Sequence, residues 1–376
     1  MMTPRNILMT ADTVGGVWTY ALELTRALQP YGVEIKLALM GPPLTPAQRA
    51  EADEVSNLCL FKSDYRLEWM PDSWSDVRRA GEWLLHLATR LQPDLVHING
   101  YAHANLPWNI PTLLVGHSCV FSWWDAVHGE EPPSEWLRYK REVTNGLRGA
   151  HLVVTPSRAM LRALETHYGK IYDSRVIPNG RNQNSFRPAD KQPIIFSAGR
   201  LWDQAKNISC LSEAAAALPW PVLVAGDSQP PQQPPQTSRI DGHCRTLGPL
   251  AEAELRDWFG AASIYVLPAL YEPFGYTPLE AGLSACALVL GDIQSLREIW
   301  DDAAIYVDPH NSDSLKTELL RLIQNEPYRR EMSRRARQRA LLYSSELMAK
   351  KYLRAYSDLL VQLQPRHRQE KLAQCA

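Results

Sequence analysis

Short apolar runs that end in glycine, asparagine or aspartate recur along the chain, with helix-spaced apolar residues between them. Ile7-Leu8-Met9 runs through Thr10-Ala11 into the turn Asp12-Thr13-Val14-Gly15-Gly16, after which Val17, Ala21, Leu24 and Leu28 mark one helical face. Uninterrupted apolar runs of this kind read as strands buried on both faces, and the periodicity between them reads as helices packed on a sheet. The same alternation places strands at Val33–Leu39, Leu95–Ile98, Thr112–Val115 and His151–Thr155, a helix over Trp83–Leu91 and a helix opening at Ser157. A stretch rich in proline, asparagine and glycine, Pro178–Pro193, then reads as a linker. Beyond it the alternation restarts, with strands at Ile194–Ala198, Val222–Ala225, Ile264–Leu267, Ala287–Leu290 and Ala304–Val307. The pattern predicts an α/β fold: two domains in tandem, over 1–185 and 186–344, each around a mainly parallel sheet. Ser228–Gln236, a run of proline and glutamine, reads as a surface loop, and 365–376 as a flexible polar tail.

Composition narrows the partners. The 376 residues are 45% hydrophobic and 22% charged, ordinary for a globular protein, and 40 Lys+Arg against 41 Asp+Glu leave a net charge of -1. Domains that grip nucleic acid are usually strongly basic, so no nucleic-acid partner is expected. A small molecule or glycan fits the balance better. No apolar run approaches a bilayer span or a signal peptide. The 6 cysteines form no C-x-x-C and no Cys/His cluster, which points to reduced core thiols in a cytoplasmic protein.

The segment with most chemistry is Tyr271-Glu272-Pro273-Phe274-Gly275-Tyr276-Thr277-Pro278-Leu279-Glu280-Ala281-Gly282, lying between a strand and a helix. Thr277 and Glu280 have the spacing of a capping box, which would account for Glu280 alone. It leaves Glu272 and the Phe274-Gly275 turn unexplained. A glycine at a helix start admits an anion, whereas flanking carboxylates accept hydrogen bonds from hydroxyls. A ligand carrying both phosphates and hydroxyls is a nucleotide sugar.

Glu272 and Glu280 enclose seven residues, an E-x7-E pattern, and here the sequence resembles the retaining glycosyltransferases of family 4. The resemblance extends through VGGV at 14–17, HS at 117–118, PSR at 156–158, IPNG at 177–180, GRL at 199–201 with Lys206, AGD at 225–227, SIYVLPALYEPFG at 263–275 and AIYVDP at 304–309. It implies the GT-B fold: two Rossmann-like domains whose sheets face an interdomain cleft, with a last helix (345–364) crossing back to the first domain. The implied reaction moves a hexose from a nucleotide-sugar donor, UDP-glucose first among them, to a glycan or lipid-linked acceptor in polysaccharide synthesis.

The same resemblance implies roles. Arg200 and Lys206 would neutralise the donor diphosphate, with Gly15 and Gly16 facing it across the cleft. His117 would sit near the anomeric centre. Glu272, Phe274, Gly275 and Tyr276 would hold the sugar, Glu280 the ribose and Leu250 the base, with Thr277 also in the donor site. With two cations at the diphosphate and no D-x-D motif, no metal and no cofactor is expected. Aromatic rings stack on sugars, so Trp123 and Trp124 are candidates for the acceptor, with a packed core pair as the competing reading. The basic and aromatic run Trp136–Arg141 is a candidate for peripheral contact with the inner membrane face, against a solvated helix face. Two other functions remain open at this point, a UDP-sugar 2-epimerase and a non-catalytic nucleotide-sugar binding module. The E-x7-E set disfavours the first, and the intact Arg200, Lys206, Glu272 and Glu280 disfavour the second.

Overall fold

Strands pair into two separate sheets in the computed structural model of the chain, which describes residues 2–229 and 243–374. The first sheet holds β1 (Asn6–Asp12), β2 (Glu34–Met40), β3 (Leu58–Lys62), β4 (Leu95–Ile98), β5 (Thr112–Val115), β6 (Leu152–Thr155) and β7 (Ser174–Val176), in the order β3-β2-β1-β4-β5-β6-β7. The second holds β8 (Gln192–Ala198), β9 (Val222–Ala225), β10 (Cys244–Gly248), β11 (Ala262–Leu267), β12 (Ala287–Gly291) and β13 (Ile305–Val307), in the order β10-β9-β8-β11-β12-β13. Every neighbouring pair is parallel. This is the GT-B architecture of two Rossmann-like domains.

Parallel pairing forces crossovers, so helices cover both faces of each sheet and the central strands are apolar throughout. Along β1, Ile7 and Met9 enter the core on one face while Leu8 packs on the other. Both sheets start in the middle, wind to one edge, then return and wind to the other. The winding direction reverses between β1 and β4 and again between β8 and β11, and ligands of open α/β sheets bind beyond the carboxyl ends of the strands at such reversals.

The domains are joined twice at one place. The chain passes from the first to the second beside the start of its last helix, Ser345–Gln374. There the Arg181 N–H donates to the Tyr343 carbonyl (3.0 Å) and the Ser345 N–H to the Arg181 carbonyl (3.1 Å). A side chain at Gly180 would place its Cβ 2.2 Å from the Ser344 carbonyl oxygen, so only glycine admits this crossing. Met348, Ala349, Tyr352, Leu353, Tyr356 and Leu359 of that helix complete a core cluster of the first domain. Burying six side chains there, at roughly 1.5–3 kcal/mol for each large one, makes the end of the chain part of the first domain's core. Within the linker, Phe186 is buried in the core of the second domain.

The segment once expected as a capping box folds differently. Its helix is Tyr276–Leu283, with Gly275 at the N-cap and no side-chain cap. Thr277 lies inside the first turn, where its Oγ1 accepts from the Tyr265 hydroxyl (2.7 Å). Glu280 turns away to a guanidinium, a stronger partner for a carboxylate than a backbone N–H. Residues 230–236 of the expected proline-rich loop and Cys375–Ala376 lie outside the described residues; the last helix runs through 365–374. Cys119, Cys210, Cys244 and Cys286 are buried free thiols, and Cys59 is an exposed one.

Candidate active site

Both reversal points open on one seam. On the first domain, the turn after β1 is closed by the Val14 N–H, which donates to Asp12 Oδ1 (2.8 Å). Gly15 follows at φ 76°, and a Cβ there would stand 3.0 Å from Arg200 Nη1 of the other domain. Glycine is needed both for the backbone and for the close approach. Gly16 opens the first helix with its Cα facing the Tyr276 ring, where a Cβ would lie 3.6 Å away. Burial pushes the Asp12 carboxyl up to about 7, against the Val14 hydrogen bond and the nearby Arg200.

Beyond β4, the Asn99 Nδ2 donates to the Thr10 carbonyl (2.7 Å), which turns its Oδ1 toward His117 Nε2 (2.8 Å). An amide oxygen only accepts, so Nε2 carries the proton and Nδ1 is the acceptor nitrogen of His117. Burial pushes the His117 imidazole down to about 3, so it works as a neutral hydrogen-bonding group. The edge of Tyr20 packs against its ring at 4.5 Å.

The second domain presents charges instead. In the turn beyond β8, Arg200 Nη2 meets Asp203 Oδ2 at 2.6 Å, with its guanidinium over the Trp202 ring. Lys206 Nζ meets Glu272 Oε2 at 2.6 Å, both side chains largely buried. Glu272 belongs to the turn beyond β11, where the Phe274 N–H lies 3.4 Å from its Oε1 and the Ser295 hydroxyl donates to its carbonyl. The two cations therefore stand on one turn, each balanced by a carboxylate that can yield it to a stronger anion.

Contacts across the seam fix the two faces against each other. Trp123 Nε1 donates to Asp203 Oδ1 (2.9 Å), Tyr271 shares a hydrogen bond with the Ser122 hydroxyl (2.8 Å), and Ser157 Oγ donates to the Pro273 carbonyl (2.8 Å). Glu298 accepts from the Arg158 and Ala159 N–H groups (2.7 and 2.9 Å), so a carboxylate of the second domain caps a helix of the first.

The structure thus brings Gly15, Gly16, His117, Arg200, Lys206, Glu272, Phe274, Gly275, Tyr276 and Thr277 to the seam or its immediate walls. Phe274 is buried in the second core, and the Tyr276 hydroxyl is buried with no hydrogen-bond partner among the described residues. Leu250 packs at the edge of the same core, just past β10. Trp123 bridges the domains through its N–H, while Trp124 packs on Trp123 and His128. In the basic and aromatic run, Arg138 lies over the Trp74 ring and Lys140 over Phe121, inside their own domain.

Glu280 pairs with a different cation from those of the β8 turn. It is 5% exposed and pairs with Arg181 Nε at 2.8 Å. Sequence reasoning passed over Arg181, Asp203, Asn99 and Asp12. Arg181 directly follows the IPNG segment and Asp203 lies between the two predicted cations, so a charge inside each turn was the available signal.

Two family models match the chain in succession: one described as glycosyltransferase family 4 over residues 14–184, the other as glycosyl transferases group 1 over residues 179–339. Both models describe glycosyltransferases, and together they span residues 14–339. Among curated relatives, O-antigen chain mannosyltransferase B of Escherichia coli is 27% identical over 46% of this chain and 50% of its own length. The chain spans about half the length of this relative and of two others that it resembles to a similar degree. Sucrose-phosphate synthase from Thermosynechococcus elongatus superposes with a TM-score of 0.78 at 19% identity, over 95% of this chain and 100% of that one. Anabaena HepE in complex with UDP-glucose superposes at 0.76 and 16% identity, over 94% and 99%. Identities this low carry the fold alone.

Proposed function

We propose that the protein is a retaining glycosyltransferase that moves a hexose from a nucleotide diphosphate sugar to a glycan or lipid-linked acceptor, without a metal, in polysaccharide synthesis. The observation that carries this reading is the placement of Arg200 and Lys206 on one turn beyond β8, with Arg200 against Gly15 of the facing domain. Negative charge gathers on the diphosphate as the bond from its oxygen to the sugar C1 breaks, and preorganised cations there lower the barrier. The acceptor oxygen bonds C1 from the same face, and its proton passes to the departing phosphate oxygen. Glu272 and the Phe274–Gly275 backbone hold sugar hydroxyls, neutral His117 hydrogen-bonds near C1, and Glu280 takes the ribose. Leu250 flanks the base, and the ring of Trp123 or Trp124 borders the acceptor.

A UDP-sugar is the first donor to test, in keeping with the UDP-glucose held by the Anabaena neighbour. An acceptor in the cell envelope accords with the name of the Escherichia coli relative. Work on a lipid-linked acceptor would place the protein in the cytoplasm, touching the inner membrane face; among the described residues no helix is long and apolar enough to cross a membrane. Calorimetry with UDP-, GDP- and ADP-sugars in chelator, on the wild type and an Arg200→Ala/Lys206→Ala variant, tests the reading. Binding of one nucleotide class that disappears in the variant, with slow donor hydrolysis, is expected. Binding that survives loss of both cations overturns it.

A further inference from the structure

One guanidinium lies at the junction of the domains and touches three carboxylates. Arg181 is 3% exposed. Its Nε donates to Glu280 Oε1 (2.8 Å), its Nη1 pairs with Glu23 Oε1 (3.1 Å) and its Nη2 with Glu252 Oε2 (3.1 Å). Each partner belongs to a different helix: Glu23 to Gly16–Leu28 of the first domain, Glu252 to Glu252–Ala261 and Glu280 to Tyr276–Leu283 of the second. The fork of five N–H donors lets one arginine serve three acceptors in fixed directions, which a lysine ammonium does not reproduce.

The arginine is itself held on every side. Its backbone is pinned to Tyr343 and Ser345, the following Asn182 N–H donates to Glu23 Oε2 (2.8 Å), and the guanidinium face lies over Phe186 at 4.9 Å. Glu280, by contrast, has Thr277 and Tyr276 one turn before it and no capping contact of its own. Its carboxylate direction is therefore set by Arg181.

We propose that Arg181 is the positioning residue of the donor site, holding the Glu280 carboxylate aimed for the ribose hydroxyls. This rests on the reading that Glu280 takes the ribose. A vicinal diol offers two O–H donors and is best received by a charged carboxylate, whose oxygens keep accepting lone pairs beyond the one that Arg181 engages; a protonated acid forfeits one of them. Burial raises Glu280 to about 7, with Glu252 and Glu23 pushing the same way and Arg181 opposing them, so loss of the guanidinium would favour the neutral acid further. Occupying Oε1 from the Nε side also leaves the carboxylate one way to face.

The test compares two ligands that share the diphosphate and differ in the ribose: a nucleoside diphosphate (UDP, GDP or ADP, whichever the wild type binds best) and inorganic pyrophosphate. Removing Arg181 alone strands buried carboxylates, so the main variant is Arg181→Met/Glu23→Gln, with Glu23→Gln as its control. Calorimetry is expected to show at least tenfold weaker nucleoside diphosphate binding in the double variant, pyrophosphate within twofold of wild type, and Glu23→Gln within twofold for both. Glu280→Gln should match the double variant, and adding it to the double variant should cost less than twofold more. Arg181→Lys keeps the charge and one contact and should lose three- to tenfold; it carries the test if the double variant does not fold. Wild-type affinity for the nucleoside diphosphate in a folded Arg181 variant, with Glu280→Gln impaired, overturns the proposal and leaves the ribose reading standing. Wild-type affinity in Glu280→Gln, or no nucleoside diphosphate binding by the wild type, overturns both.

Discussion

The two faces of the seam are built from different chemistry. The second domain arrays Arg200, Lys206, Asp203 and Glu272, all in ion pairs, and the junction residue Arg181 ties its Glu280 to Glu23 of the first domain. The first presents a neutral imidazole, an amide, a hydroxyl and an indole, joined by uncharged hydrogen bonds apart from the Trp123 bridge. A diphosphate leaving group needs charge that is already in place; a sugar and an incoming hydroxyl need direction without charge that would trap the departing anion. On the proposed reaction, the difference organises each domain for one side of the bond being exchanged, with the seam contacts holding the two sides in register.

The largest break in this contrast comes from the charged face. Lys206→Ala is expected to lower kcat/KM for the donor by about 10–100-fold, since a charge-assisted hydrogen bond is worth about 1.5–3 kcal/mol and ~1.4 kcal/mol is tenfold. Arg200→Ala should cost less, because its side chain is 37% exposed against 13% for Lys206, and solvent screens it more. Steady-state kinetics on both variants decide this; an equal or reversed order would mean that Arg200 carries the larger share. Next in size is the bridge between the faces. Trp123→Phe keeps the ring and removes the N–H to Asp203, and is expected to lower kcat/KM by about three- to tenfold, with the fold intact by circular dichroism. An unchanged value would mean that register is kept by the Tyr271, Ser157 and Glu298 contacts alone.

How much of this was legible follows the same physics. Strands buried on both faces announce themselves: Leu95–Ile98, Thr112–Val115 and Val222–Ala225 match the apolar runs to the residue. The strands that the pattern missed, β3, β7 and β10, all lie at sheet edges, half exposed and mixed in polarity, as in Ser174-Arg175-Val176. The linker was legible as a break, but not as the point where the last helix returns. In the site, the glycines and cations were marked by strand ends. Their long-range partners were not, because nothing in the local sequence says that Asp203 reaches Trp123, 80 residues before it, or that Arg181 reaches Glu280, 99 residues on. The misread capping box has the same cause: a long-range guanidinium outcompetes a local backbone N–H for Glu280.

A smaller effect concerns Asp12, the one acid of the β1 turn. Burial raises its pKa to about 7 from an ordinary value of 3.8, so between those limits the folded state holds more protons than the unfolded state. Stability contributed by this group therefore falls as pH rises through that window. Asp12→Asn removes the dependence and is expected to raise Tm by about 1–3 °C at pH 8 and to leave it unchanged at pH 4, read by scanning calorimetry. A loss of Tm at pH 8 would mean that the ionised carboxylate is held by Arg200 after all, and that the charged face extends across the seam.

The smallest expected effect is an absence of change, and it bears most directly on the contrast. An unperturbed histidine titrates near 6.5, within the range where enzymes are assayed. His117 is pushed down to about 3 by burial, with its proton committed to Asn99. Its contribution should then be the same across that range. The ratio of kcat/KM between wild type and His117→Gln, which keeps a neutral donor and acceptor, is expected to stay constant from about pH 5.5 to 8.5. A ratio that drifts tenfold per pH unit around 6.5 would require an imidazolium in the working enzyme. The first domain would then place a cation at the sugar carbon, where positive charge develops as the bond breaks, and the division of labour between the two faces would fail at the atom where it matters most.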